Sequence, residues 1–123
     1  MKLTLDYNVS NDFLDNVITS ATESGVHGAT YWLRVRAELK DGVRIDYDLK
    51  EGEEGDLKGR FTMRRRQVLI GIQRLLTNRA IDIGPGARGR LAGAVITDDS
   101  GEVDGPLADL IFQAAVFNDV IYG

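Results

Sequence analysis

Two runs of alternating side chains face each other across a glycine turn. From Tyr31 the apolar positions are Tyr31, Leu33, Val35, Ala37 and Leu39. From Val43 they are Val43, Ile45, Tyr47 and Leu49, and Asp41-Gly42 lies between the runs. A period of two marks strands with one buried face, and Asp-Gly marks a hairpin turn. This pattern constrains the fold more than any other in the chain. It predicts an antiparallel ribbon whose apolar face must be covered by the rest of the molecule.

The charges help to choose the register. A two-residue Asp41-Gly42 loop sets Leu39 opposite Arg44 and Ala37 opposite Asp46, apolar against charged. A three-residue loop, Lys40-Asp41-Gly42, pairs Leu39 with Val43, Ala37 with Ile45, Val35 with Tyr47 and Leu33 with Leu49. On the other face it pairs Glu38 with Arg44, Arg36 with Asp46 and Arg34 with Asp48. Every charged pair is then complementary, so this is the expected register. Gly42 takes the left-handed position of a bulged turn. Arg34 and Arg36 become cross-strand partners rather than ligand contacts.

Helical periodicity supplies the cover. Phe13, Leu14, Val17, Ile18 and Ala21 form one stripe, with Ser10 or Asn11 as cap, Asp12 in the first turn and Gly25 as terminator, which gives a helix over Asn11–Ser24. Val68, Leu69, Ile72, Leu75 and Leu76 form a second stripe, giving a helix from about Met63 to Asn78 behind a Thr62 cap. Gly105-Pro106 opens a third, running through Leu107, Leu110, Ile111, Ala114 and Ala115. Lys2 to Asn8 alternates as a strand, Lys50 to Gly59 reads as an acidic solvated loop, and Leu91–Thr97 as a short strand. The fold class is α+β: an antiparallel sheet built on the 31–49 hairpin, with about three helices packed on one face. At 123 residues the chain is expected to be a single domain over 1–123.

Composition removes several chemistries. There is no cysteine, hence no disulfide, thiolate nucleophile or cysteine zinc site. No apolar run approaches the roughly 18–20 residues of a membrane span, and the start lacks a signal-peptide pattern. A cytosolic protein without a membrane partner is the expectation. Asp98-Asp99-Ser100-Gly101-Glu102 does not have the spacing of a calcium loop, and no cofactor or metal motif is legible.

Charge is unevenly placed. Between Lys58 and Arg90 nine basic residues meet one acid, Asp82, a balance of +8 in a chain of net −4, so the remainder carries −12. Arg64, Arg65 and Arg66 fall at the start of the second helix, where the dipole and unpaired N–H groups are already positive. Something must neutralise them: the acidic loop Glu51–Asp56, a phosphate-bearing ligand, or another acidic surface. Gly84-Pro85-Gly86-Ala87-Arg88-Gly89-Arg90 adds glycines and two more arginines. It is neither a Walker loop nor a dinucleotide fingerprint, since no convincing helix follows it. A connecting loop is the simpler reading. Lone His27 lies in a permissive loop and is a candidate acid–base group. Trp32, on the polar face of the expected hairpin, must be covered by a helix, a partner or a stacked planar ligand. The candidate ligand-binding set is therefore Arg64, Arg65, Arg66, Arg88, Arg90, His27 and Trp32. The last helix is apolar on almost every side, which suggests either a central position or a subunit interface; a small domain struggles to cover such a helix, so a homo-oligomer through it is the expectation.

Two segments carry a resemblance. Glu23-Ser24-Gly25-Val26-His27-Gly28-Ala29-Thr30-Tyr31-Trp32 and the ending Ala108 to Gly123 resemble a group of small phage-encoded proteins. These have a Glu-Gly-Gly…Tyr-Trp segment after the first helix and a Val-Tyr-Gly type tail. Ser24 replaces a glycine here, and Asn118-Asp119 stand in the tail. The resemblance implies a phage or prophage origin and transfers no site residue. The expected function is a non-enzymatic accessory protein acting by binding, directed against a host defence. Its target would be a nucleotide-like anion or a host protein. The alternatives are a nucleic-acid-binding regulator and a small enzyme using His27.

Overall fold

The computed structural model describes residues 9–48 and 58–122. The expected strand over 2–8 and the acidic residues 51–56 lie outside them. Among the described residues the elements run α1 (Asn11–Glu23), β1 (Leu33–Leu39), β2 (Gly42–Asp48), β3 (Lys58–Arg64), α2 (Arg65–Thr77), α3 (Pro85–Thr97) and α4 (Gly105–Phe117). The strands form one antiparallel sheet in the order β1-β2-β3. The fold is α+β, as the patterning predicts, with one helix more than expected and with β3 where no strand was expected.

α1 follows its sequence signals. The Ser10 hydroxyl accepts the Phe13 N–H at 3.1 Å, satisfying one of the orphan donors of the first turn. Phe13, Leu14, Val17, Ile18 and Ala21 are all buried. Gly25 ends the helix at φ +59°, a conformation costly for any residue with a Cβ. On the sheet, Leu33, Val43, Ile45 and Met63 are buried and Val35, Tyr47 and Phe61 partly so. These inner-face residues and the helix stripes form one continuous core.

The hairpin exists, but its register differs from the expected one. Leu39 pairs with Gly42, Glu38 with Val43 and Ala37 with Arg44. Lys40 and Asp41 therefore make the turn. A bulge at Arg36 then shifts the ladder, so that Val35 meets Ile45, Arg34 meets Asp46 and Leu33 meets Tyr47. Gly42 is a strand residue without positive φ. It is glycine because a Cβ there would strike the Met63 carbonyl of β3. The third strand decides the register. β2 is packed from both sides, and the bulge keeps Leu33 and Val35 on the inner face with their apolar partners. Cross-strand charge pairs, worth about 0.2–1 kcal/mol each, are too weak to compete.

Three further expectations are corrected. Thr62 and Met63 belong to β3, not to the start of α2, and the cap of α2 is Arg64. Lys58 and Gly59, expected in the loop, open that strand. Leu91–Thr97 is helical rather than extended, and a helix does begin in the glycine-rich stretch. Gly84, at φ +82°, precedes Pro85 in the first position of α3, a placement proline favours. Leu91, Ala94 and Val95 give α3 its buried stripe.

α4 lies at the centre of the domain. Leu107, Ala108, Ile111, Phe112, Ala114 and Ala115 are buried within this one chain. The apolar surface that suggested a subunit interface is thus already covered. α2 comes so close that a Cβ on Gly71 would meet the Ile111 carbonyl. The Arg74 guanidinium donates to the Ala114 and Ala115 carbonyls at 2.9 and 3.0 Å, placing a cation on the negative end of α4. Among the described residues no helix is long and apolar enough to cross a membrane.

Candidate functional site

The expected ligand-binding residues do not converge on one another. Arg64 pairs with Asp41 of the hairpin turn at 2.6 Å. Arg65 makes two 2.9 Å hydrogen bonds to the Asp15 carboxylate on α1. The misplaced cations at the start of α2 are therefore neutralised from two other elements. Arg66 is exposed and makes no ion pair among the described residues. Arg88 donates to the Ile81 carbonyl, and Arg90 pairs with Asp104 at 3.3 Å. His27 is exposed, in a short 3-10 turn, and its imidazole has no side-chain partner among the described residues. Most of the positive stretch is thus spent on holding the fold together.

The Asp15–Arg65 pair has a measurable consequence. The Arg65 hydrogen bond holds the Asp15 carboxyl below its ordinary range, with burial opposing and the opposite charge assisting. The contribution to stability is present above an unfolded aspartate's value of about 3.9 and is lost as pH falls through the lowered folded value. Both side chains are partly exposed, so solvent screens the pair and its contribution is modest. Asp15→Asn should therefore melt below wild type at pH 7, and the gap should close in acid. A melting series from pH 7 to pH 2 checks this.

Trp32 is buried, in the turn just before β1, so strand parity does not apply to it. Its indole N–H donates to Asp109 Oδ1 at 2.7 Å, and Tyr31 Oη donates to Asp109 Oδ2 at 2.6 Å. Gln113 donates to Asp109 at 3.0 Å, while its Oε1 accepts the Ile121 and Tyr122 N–H groups at 2.9 and 2.8 Å. The Tyr122 ring stacks on Trp32, with centroids 5.7 Å apart and planes at 12°. The Tyr-Trp segment and the tail, remote in sequence, are thus two halves of one buried network. The stacking surface that a planar ligand would need is taken by Tyr122. A cleft of about 440 Å³ opens beside it, past Thr22, Thr30 and Arg34. Both threonine hydroxyls already donate to chain carbonyls, of Ile18 and Gly25.

The sheet's outer face is different. The bulge removes the charge balance that the expected register would have given it. Glu38 falls opposite Val43, and Arg44 falls opposite Ala37. Across the three strands one row reads Arg34, Asp46, Arg60, and the next reads Ala37, Arg44, Thr62. Arg36, in the bulge, turns to the same face and reaches Asp46 Oδ2 at 3.0 Å. Arg60, 78% exposed, lies 3.6 Å from Asp46 Oδ1. Arg34 and Arg44 are exposed and form no ion pair among the described residues. Arg36, Arg44 and Arg60 thus line a shallow depression of about 490 Å³ together with Asp46, and Arg34 stands beside Asp46 on the neighbouring strand. Sequence reasoning assigned three of these arginines to cross-strand pairs and overlooked the fourth. The usable signal was their common parity on the polar face. Among the described residues no group of histidine, cysteine and acidic side chains could hold a metal ion. Comparison with protein-family models, curated proteins and solved structures gives no match to the chain.

Proposed function

We propose that this protein acts by binding nucleic acid, non-enzymatically, through the outer face of its sheet. One observation carries the reading: Arg34, Arg36, Arg44 and Arg60 stand exposed on three adjacent strands, and Asp46 is the one carboxylate found paired with them among the described side chains. A flat array of guanidinium groups suits a line of phosphates, each able to take two parallel N–H donors. Nucleic acid offers the densest such line. The chain's net charge of −4 does not forbid this. At physiological salt the Debye length is about 8 Å, so a phosphate on the sheet feels the arginines far more than the acidic remainder. That remainder discourages docking by other surfaces and orients the approach. A small binding protein of this kind agrees with the phage or prophage accessory origin that the Tyr-Trp segment and tail resemble.

The test is fluorescence anisotropy with a labelled DNA, repeated from 50 to 200 mM salt. Three to four phosphate contacts give a log–log slope of about −2.7 to −3.6, an affinity loss of about 40- to 150-fold over that range. The Arg34/Arg36/Arg44/Arg60→Ala variant should lose the binding, while Arg64/Arg65/Arg66→Ala should keep most of it. Unchanged binding by the first variant, or no binding by wild type at 50 mM salt, would overturn the proposal.

A further inference from the structure

The geometry points to a B-form DNA duplex, entered through its major groove, as the nucleic acid that this face takes; this rests on the nucleic-acid reading above. Single strands are held on aromatic platforms, where successive bases stack. Among the described aromatic residues Phe61 alone borders the outer depression, and it packs against the core rather than standing out as a platform. Tyr47 likewise packs against the core, and the Tyr31 hydroxyl is engaged by Asp109. The single-strand mode lacks its usual means, whereas a duplex presents phosphates in two rows and needs no stacking.

The row across the strands matches such a target. Arg34 and Arg60 flank Asp46 on either side. Neighbouring strands are about 4.8 Å apart, so the two outer rows lie roughly 10 Å apart, close to the roughly 12 Å width of the major groove. Long guanidinium arms on β1 and β3 can then reach phosphates on opposite walls of the groove. The central strand lies over its floor. There Arg44 stands between Ala37 and Thr62, two small neighbours that leave it clear to project. Arginine donates two bonds to guanine O6 and N7. Asp46, its Oδ1 buried beside Arg60 and its Oδ2 bonded to Arg36, steadies these two arms rather than meeting a base. The outer rows thus position the sheet, and the middle strand reads the sequence. Duplex RNA does not fit, since its major groove is too narrow and deep for side chains to enter.

The experiment is competition against a labelled 20-base-pair duplex DNA, using the same sequence as single-stranded DNA and as duplex RNA. Arg34→Ala, Arg60→Ala and Arg44→Ala are then compared on a panel of duplex sequences at several salt concentrations. All three residues are exposed, and a melting curve confirms that each variant is folded. Duplex DNA should compete at least tenfold better than either alternative. Arg34→Ala and Arg60→Ala should weaken all sequences alike, each making the salt slope shallower by about 0.9. Arg44→Ala should erase the differences between sequences, about 5- to 150-fold for a guanine contact. Equal competition by the single strand, or an Arg44→Ala variant that behaves like the outer two, overturns the groove inference and leaves the nucleic-acid reading standing. Failure of every nucleic acid to bind overturns both, and would assign the face to an acidic protein partner instead.

Discussion

Asp109→Ala should destabilise this protein by about 3–5 kcal/mol, enough to remove much of the stability of an ordinary domain. The carboxylate is buried and accepts from the Trp32 indole, the Tyr31 hydroxyl and the Gln113 amide. Its removal leaves the buried indole N–H without its acceptor, which costs about 1–3 kcal/mol for that group alone. It also opens space beside Trp32 and loosens Gln113, whose amide holds the backbone of Ile121 and Tyr122. Asp109→Asn should cost distinctly less, since its carbonyl oxygen can still receive the indole. Chemical denaturation of the three proteins checks the order, and tryptophan fluorescence follows Trp32 directly because it is the only tryptophan. An alanine variant as stable as wild type would mean that the network is incidental to the packing of the tail.

The second large effect is steric. Gly71 lies where α2 touches α4, and a Cβ there would meet the Ile111 carbonyl, with Ala115 at 3.1 Å. A backbone carbonyl cannot rotate away as a side chain can. Gly71→Val should therefore push the helices apart at a cost of about 3 kcal/mol, the upper end of the overpacking range. Gly93 is the internal control. It lies in α3, and an added Cβ there meets nothing within 4 Å. Gly93→Ala should stabilise by about 0.5–1 kcal/mol, through helix propensity and a less flexible unfolded chain. Opposite signs for two helix glycines follow from the packing, and thermal melts of both variants test it.

How much of this could be read from the chain depends on which forces set each feature. α1 was legible throughout, because its cap, stripe and terminating glycine are local signals acting in agreement. The hairpin was legible as a hairpin. Its register was not, because β3 packs against β2 and decides it. β3 itself carried a faint signal, Phe61 and Met63 alternating with Arg60, Thr62 and Arg64. The arginine run and the helical stripe behind it pulled these residues into α2. α3 was missed because Gly86, Gly89 and Gly93 each weaken a helix by about 1 kcal/mol relative to alanine, whereas burial of Leu91, Ala94 and Val95 overrides them. The candidate site shifted for the same reason as the register. The unbulged register gives a balanced outer face in which Arg34 and Arg36 are cross-strand partners. The bulge at Arg36 carries Glu38 away from Arg44 and leaves the face basic. The arginines that stand out in the sequence, Arg64 and Arg65, turn out to be satisfied by Asp41 and Asp15.

On the proposed reading, nucleic acid meets the charge on the sheet rather than that at the start of α2. Titration of isotope-labelled protein with a short DNA duplex, followed by amide chemical shifts, addresses it residue by residue. Shifts are expected to concentrate at Arg34 to Ala37, Arg44 to Asp46 and Arg60 to Thr62, with little change around Arg66, Arg88, Arg90 and His27. Shifts centred on Arg66 and the glycine-rich start of α3, with the sheet unaffected, would contradict that reading.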